Sequence, residues 1–170
     1  MQHTMEKYTS VKSMLKRMVQ VDQEMRNKGL EKPDEWDESI DLQNTAQMRI
    51  LVADIGWPYI SMVGYEGASN AWLLVQHADH DPAFQQMCLE LMKSAPVEEV
   101  PRNHIAFLED RIAVGKGLPQ LFGTQFQRDS NGELKPHLIA DPKNVDERRK
   151  KMWLGPLKDY RESMYLAYGK

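Results

Sequence analysis

The segment QHADHD at residues 76–81 carries two histidines and two aspartates, the side chains used for acid–base chemistry and for metal binding. It follows the run AWLLV, which is apolar all round and is therefore expected at the centre of a helical domain. His77 and His80 could share a helical face as metal ligands. Because an aspartate before a proline is typical of a helix start, we expect Asp81 and Pro82 to open the next helix instead.

The spacing of these residues matches no common metal-site pattern. HD phosphohydrolases add an upstream histidine and a distant aspartate to an HD pair, and this chain lacks convincing spacing for both. Zinc HExxH and di-iron ExxH patterns, a P-loop and a Rossmann glycine pattern are also absent from the sequence. We therefore predict no metal and no cofactor. A metal-dependent hydrolase using His77, Asp79, His80 or Asp81 is kept as an alternative.

The segment NHIAFLEDRIAVG predicts a helix over about 102–114 with polar residues on its inner faces. At 100° per residue, Asp110 falls on a face of small residues and Arg111 points towards the core. A buried arginine must be paired, because leaving its charge alone costs several kcal/mol. Arg111 therefore either pairs with an acid such as Asp54 or Asp79, or holds a carboxylate or phosphate group in a cleft.

His77 is the candidate acid–base catalyst, although a lone histidine on a central helix is commonly a core residue. A general base needs an orienting carboxylate, for which we select Asp110, because Asp79 is too near in sequence.

In GTQ at 123–125, the glycine indicates close approach of a ligand or of another backbone. A bulge with an exposed Gln125 explains the same pattern.

The apolar spacing predicts a mainly α fold over residues 1–170, a single-domain bundle of about six or seven helices with one β-hairpin near residues 119–139. Asn131-Gly132 is typical of the hairpin turn. We expect Thr9 or Ser10 to cap the first helix, and a glycine-containing bridge at 61–69. The expected helices cover about 11–25, 41–55, 67–79, 82–93, 102–114, 143–152 and 156–167, with Val21 and Leu42 among the inward-facing residues.

The composition is that of a globular protein, with 41% hydrophobic and 28% charged residues in 170. A net charge of −3 provides no field for nucleic acid, and the longest basic run is RRKK at 148–151. The single cysteine, Cys88, lies in an amphipathic pattern and is expected to be buried and inert. With no signal peptide and no apolar run of about 20 residues, we expect a cytoplasmic protein without membrane contact.

Four segments together resemble a bacterial family catalogued only as a domain of unknown function. They are NTAQMRILVADIGWP, AWLLVQHADHDPAFQ, AFLEDRIAVGKGLPQLFGTQF and DPKNVDERRKKMWLGPLKDY. The resemblance covers about residues 41–160 and leaves 1–40 as an N-terminal helix and connector. Phe122 stands where the family usually has tyrosine, and Trp153-Leu154 replaces a Gly-Leu step. The resemblance singles out Gly56, Trp57, Pro58, Gln76, His77, Asp110, Arg111, Gln120, Gly123, Thr124, Gln125, Arg148 and Arg149.

Together these residues predict a small enzyme that acts on a small polar or peptide-like substrate. His77 would be the acid or base, Asp110 would orient it, and Arg111 would hold an anionic group. The further substrate-binding candidates are Gln76, Gln120, Thr124, Gln125 and Arg148. The alternative is a non-catalytic binding, regulatory or immunity-type module, whose polar residues form a buried specificity network. A small molecule or a peptide is the expected partner.

Overall fold

The computed structural model describes residues 2–169, and the side chains of residues 5–169. This part of the chain forms seven α-helices and one two-stranded antiparallel hairpin, which confirms the predicted mainly α fold. Contacts between α-carbons group the chain into two compact units, Met1–Val100 and Pro101–Lys170. A single domain over 1–170 stays a prediction. Among the described residues, no helix is long and apolar enough to cross a membrane.

The first unit is built from four helices. They are α1 (Gln2–Glu31), α2 (Glu38–Ile55), α3 (Ile60–Gln76) and α4 (Pro82–Ser94), with a 3₁₀ turn at Pro33–Glu35. The predicted cap at Thr9 or Ser10 is wrong, because α1 already runs through both residues. The Thr9 hydroxyl donates instead to the Met5 carbonyl one turn earlier, at 2.9 Å, a bond that a threonine can make inside a helix.

The buried face of α1 follows a three–four spacing through Val11, Leu15, Met18, Asp22 and Met25. Val21, predicted to face inwards, is 48% exposed. The neighbouring residue, Asp22, lies on the buried face instead, so that an aspartate occupies a core position. Asp22 is completely buried, which requires that its carboxylate be paired or hydrogen bonded.

The buried face of α2 is partly polar. Met48 and Leu51 are buried as their spacing predicts, but Leu42 is 54% exposed. Asn44 and Thr45, rather than Leu42, are buried in the first half of the helix. At the end of the helix, Gly56 has φ +73°. Glycine adopts this conformation without strain, which explains why a glycine stands between the helix and Trp57-Pro58.

Helix α3 begins at Ile60, earlier than predicted. The segment 61–69, predicted as a bridge, is helical except at Gly64, where φ +73° and ψ 169° interrupt the helix. Ala71 and Val75 are fully buried, in agreement with a central position for the AWLLV run. The predicted cap of α4 is confirmed, because the Asp81 carboxylate accepts a hydrogen bond from the Phe84 amide at 3.1 Å.

The second unit combines three helices with the hairpin. Its elements are α5 (Arg102–Gly115), β1 (Phe126–Arg128), β2 (Leu134–Pro136), a 3₁₀ turn (Pro142–Asn144), α6 (Val145–Lys151) and α7 (Leu157–Tyr168). Phe126 pairs with Pro136 across the hairpin. The strands are shorter than the predicted range, because residues 118–125 form a loop; its one strand-like pairing is an isolated bridge between Gln120 and Ile139.

Candidate functional site

His77 lies at the C-cap of α3, where its ring meets a carboxylate from α1. Its Nδ1 atom is 2.9 Å from Oδ1 and 3.1 Å from Oδ2 of Asp22. The His77 side chain is 14% exposed, while that of Asp22 is completely buried. The ring is therefore held from the protein interior, and a small part of its surface is exposed to solvent.

Arg26 joins this pair to a second carboxylate. Its Nε atom lies 3.2 Å from Asp22 Oδ1 and 3.0 Å from His77 Nδ1. Its Nη2 atom donates to Asp41 Oδ1 at 2.6 Å. The guanidinium also stacks on Trp36, 5.2 Å from the ring centroid. We call Asp22, Arg26, Asp41 and His77 the Asp22 cluster.

The contacts of His77 Nδ1 constrain its proton. One nitrogen cannot at once donate to Asp22 and accept from Arg26. A buried carboxylate needs donors, and the Nδ1–H and the Arg26 Nε–H can both point to Asp22. This arrangement leaves the proton on Nδ1 and a lone pair on Nε2. All hydrogen bonds of the ring in the described part of the chain are made through Nδ1.

Asp22 stays ionised in this setting. Burial by itself would raise the pKa of Asp22, but the hydrogen bond and charge of His77, with Gln23 and Arg26, lower that pKa below its ordinary value of 3.8. The Gln23 amide contributes a hydrogen bond of 2.8 Å to Oδ2. A fixed negative charge therefore lies against the histidine at neutral pH.

The other acidic and basic residues of QHADHD point to different partners. Asp79 accepts a hydrogen bond from Gln85 at 3.2 Å, and Asp81 pairs with Arg49 at 2.6 Å in addition to capping α4. His80 is exposed. The segment is thus divided between separate structural tasks, and its residues do not form the four-ligand set that their proximity in sequence suggests.

A metal-like grouping does occur elsewhere in the first unit. Ligand atoms of Asp22, Asp41 and His77 lie within 4.8 Å of one another. The Arg26 guanidinium, however, binds both carboxylates and lies 3.0 Å from His77 Nδ1. A cation at this position would have to displace a positive charge that already neutralises part of the charge of the carboxylates, so the cluster is better suited to hold a histidine than a metal ion.

Asp110, the predicted orienting residue, lies in the second unit and binds backbone amides. Its fully buried carboxylate accepts hydrogen bonds from the amides of Leu121, Phe122 and Thr124 at 2.7, 3.0 and 2.9 Å. The Thr124 hydroxyl adds a fourth bond of 3.0 Å. The carboxylate thereby fixes the 121–125 loop, which contains the whole GTQ motif.

Gln120 closes the same loop from its other end. The side chain is fully buried and donates to the carbonyls of Gln125 and His137 at 3.0 and 2.9 Å. Its oxygen accepts from the Gln125 amide at 2.8 Å. Gly123 is required here by two features, a φ of +70° and the approach of Leu157, whose Cδ1 would lie 2.8 Å from an added Cβ.

The paired arginines bind the carbonyls of the 121–125 loop. Arg148 Nε donates to the Leu121 carbonyl at 2.8 Å, and Arg149 Nη1 donates to that of Phe122 at 2.6 Å. Arg149 is 1% exposed and stacks on Tyr160, whose hydroxyl donates to the Thr124 carbonyl at 3.2 Å. The loop is therefore held by charged side chains on both its amides and its carbonyls.

The structure sorts the predicted site residues into two sets. The set around the 121–125 loop consists of Asp110, Gln120, Thr124, Gln125 and Arg148. Gln76, which is buried, and His77 belong to the first unit, and Arg111 is half-buried on α5. Their roles as site residues stay predictions. Sequence reasoning missed Asp22, Arg26 and Asp41, although the spacing of the α1 stripe already placed Asp22 on a buried face.

His104 on α5 is a buried histidine and gives a prediction for stability. It is 6% exposed, and burial lowers its pKa from 6.5 to about 4. Above pH 6.5, His104 is neutral in both the folded and the unfolded state. As pH falls from 6.5 towards 4, only the unfolded state binds a proton at His104, which stabilises the unfolded state. We expect the free energy of unfolding to fall by about 2 kcal/mol between pH 7.5 and 5 for this reason.

Urea unfolding at the two pH values measures this effect. Between pH 7.5 and 5, the free energy of unfolding of His104→Gln should fall by about 2 kcal/mol less than that of the wild type. The control His80→Gln, which changes an exposed histidine, should show the same fall as the wild type. Equal pH dependence in His104→Gln and the wild type would contradict the assignment of this loss to His104.

Comparison with known proteins places the chain in a family. No curated protein and no solved structure matches it. A family model described as a family of unknown function, DUF6624, matches residues 11–170. The match extends beyond the four segments of the observed resemblance and includes most of α1, with Asp22 and Arg26. The chain belongs to the family of unknown function DUF6624.

Proposed function

We propose that the chain is an enzyme in which His77 acts as the general acid–base catalyst and Asp22 orients it. The observation that carries the proposal is the 2.9 Å contact between His77 Nδ1 and the buried Asp22 carboxylate. This contact leaves the second ring nitrogen, Nε2, for a substrate. A histidine held by a carboxylate through one nitrogen is the arrangement that acid–base enzymes use to fix the tautomer and to stabilise the imidazolium.

The charges of the Asp22 cluster favour a base at Nε2. The carboxylates of Asp22 and Asp41 and the guanidinium of Arg26 leave one net negative charge beside a neutral ring. When Nε2 accepts a proton from a bound water molecule or from a substrate hydroxyl, the imidazolium neutralises that charge. The proton can then be given to a leaving group, so one residue serves both halves of a hydrolytic or transfer reaction.

The proposed substrate is a small polar or peptide-like molecule, with Gln76 beside His77 as its candidate contact. Asp110, Gln120, Thr124 and Arg148 use their polar atoms to support the 121–125 loop. We therefore assign the acid–base chemistry to His77 and Asp22 and give Asp110 a structural role. Arg111 as an anion-binding residue and Gln125 as a substrate-binding residue stay predictions from the sequence.

We also propose that the protein works in the bacterial cytoplasm. Its support is the resemblance to a bacterial family and the state of Cys88, which is free and completely buried. Burial raises the pKa of the Cys88 thiol to about 12, so the sulfur is neutral and unreactive.

Two alternatives keep some support. A non-catalytic interaction module is favoured by the buried polar network of the second unit, in which side chains satisfy one another. A metal-dependent hydrolase, predicted from the sequence at His77, Asp79, His80 or Asp81, would use a different set of ligands, Asp22, Asp41 and His77. Elemental analysis of purified protein checks the latter, since it requires one bound metal ion per chain.

Turnover of a substrate panel tests the enzyme proposal. The panel contains p-nitrophenyl esters, p-nitrophenyl phosphate and amino-acid anilides, assayed with the wild type, His77→Gln and the control His80→Gln. We expect turnover of at least one class, lowered about 10²- to 10⁴-fold in His77→Gln and unchanged in the control. Full activity in His77→Gln would contradict the proposal, and lack of turnover of every class by the wild type would favour the interaction module.

A further inference from the structure

A groove between α1 and α2, separate from the proposed catalytic residues, has the features of a ligand site. It encloses about 250 Å³. Its apolar wall is formed by Met14, Met18 and Val21 from α1, and its polar residues include Arg17 and Asn44. Most ligand sites combine an apolar lining with a few placed polar groups, and this groove has both.

Asn44 is the first indication that the groove receives a polar group. The residue is 7% exposed, and its Nδ2 atom is buried with no hydrogen-bond partner among the described residues. A buried donor without an acceptor destabilises a fold, and a leucine at this position would avoid that cost. Because Asn44 lines the groove, an acceptor that enters the groove can satisfy this amide.

The charge of the groove defines the acceptor. Arg17 has no ion-pair partner in the part of the chain that the structure describes, and no acidic residue lines the groove. Gln43 and Gln47 add two further amides. A guanidinium and three amides that line one groove are complementary to a planar anion that accepts several hydrogen bonds, of which a carboxylate is the simplest.

An apolar depression continues the groove along the same two helices. It shares Met14 and Gln47 with the groove, encloses about 480 Å³ and is lined further by Val11, Ile50 and Leu51. Ile50 is 72% exposed, which leaves a large apolar side chain uncovered. Glu6, Lys7 and Asp54 also line this depression, and Lys7 pairs with Asp54 at 2.9 Å. The charge of Glu6 remains and the one cation of the depression is already paired, so the apolar part of a ligand belongs here and the anionic head lies near Arg17.

We propose that the groove between α1 and α2 binds a medium-chain carboxylate, with its head group at Asn44 and Arg17 and its alkyl chain over Met14 towards Ile50. The carboxylate oxygens accept hydrogen bonds from the Asn44 amide and the guanidinium. The alkyl chain buries apolar surface that is otherwise exposed to water. This proposal does not depend on the catalytic role of His77.

A titration of ¹⁵N-labelled protein with octanoate tests the site by two-dimensional NMR. We expect saturable shifts confined to the residues that line the groove and its depression. Octanol lacks the charge and octylammonium reverses it, so both should bind at least tenfold more weakly. Asn44→Leu and Arg17→Gln should each weaken octanoate binding about tenfold, while Lys28→Gln, an exposed lysine of α1 outside the groove, should leave it unchanged.

Thermal unfolding separates the loss of a ligand contact from the loss of the fold. Asn44→Leu should unfold at the same temperature as the wild type or higher, because it removes a buried donor that has no acceptor. Octanoate that produces no saturable shifts, octanol that binds as tightly, or Asn44→Leu and Arg17→Gln that keep wild-type affinity would each overturn the proposal.

Discussion

Replacing Asp110 by alanine is expected to lower the free energy of unfolding by about 3–5 kcal/mol. The carboxylate accepts bonds from three backbone amides and one hydroxyl, all within the 121–125 loop. Its removal leaves buried donors unsatisfied and also removes one of the negative charges that act on the Arg149 guanidinium, which is 1% exposed. Because domains of this size are stable by about 5–15 kcal/mol, a loss of this kind removes a large share of the total.

Urea unfolding of three variants measures this expectation. Asp110→Asn keeps the size of the side chain but turns an NH₂ group towards backbone donors. Its free energy of unfolding should therefore fall nearly as much as that of Asp110→Ala. Thr124→Val removes one hydrogen bond and should cost about 1 kcal/mol. Asp159→Asn, an exposed acid of α7, should stay within about 0.5 kcal/mol of the wild type. An Asp110→Ala variant as stable as Asp159→Asn would contradict the structural role of Asp110.

Replacing Asp22 by asparagine is expected to lower turnover about 10²- to 10⁴-fold, close to the effect of removing His77 itself. The asparagine amide can donate to His77 Nδ1, which moves the ring proton to Nε2. The nitrogen that faces the substrate then loses the lone pair that accepts a proton. The geometry of α1 and α3 stays the same, so the loss belongs to the protonation state of the ring.

The matched control for Asp22→Asn is Asp34→Asn, an exposed acid of the same unit. Turnover of the panel substrate should be unchanged in this control. The assays belong at neutral pH, because the pKa of Asp22 lies below 3.8 in the folded protein and its stabilising charge is lost only when pH falls through that value. Wild-type turnover in Asp22→Asn, with the fold intact by circular dichroism, would disprove the orienting role.

Much of the fold is predictable because helix signals are local. The Asp81-Pro82 start of α4 and the Asn131-Gly132 turn depend on neighbours in sequence, and the structure confirms both. The start of α1 is not predictable from Thr9, because a threonine can cap a helix or lie within one, and α1 runs through this residue. The apolar alternation of residues 121–125 is typical of a strand, but the segment forms a loop because the side chains of Asp110 and Gln120 bind its backbone amides in place of a neighbouring strand.

The candidate site was predictable only in part, because its members come from distant elements. His77 was selected from its position after an apolar run, yet its carboxylate partner lies 55 residues earlier on α1. Sequence periodicity places Asp22 on a buried face but does not say which helix that face contacts. Asp110 was chosen as the partner on the same kind of evidence, and its hydrogen bonds to the 121–125 loop became visible only in three dimensions.

The location of the ring proton of His77 is the most direct test of the central claim, and long-range ¹H–¹⁵N NMR of the labelled imidazole measures it. In the neutral form of the ring we expect the proton on Nδ1, bound to Asp22, and an unprotonated Nε2. The same spectrum of Asp22→Asn should show the proton transferred to Nε2. A wild-type ring protonated on Nε2, with Nδ1 accepting from Arg26, would contradict the account, because His77 would then offer no base to a substrate.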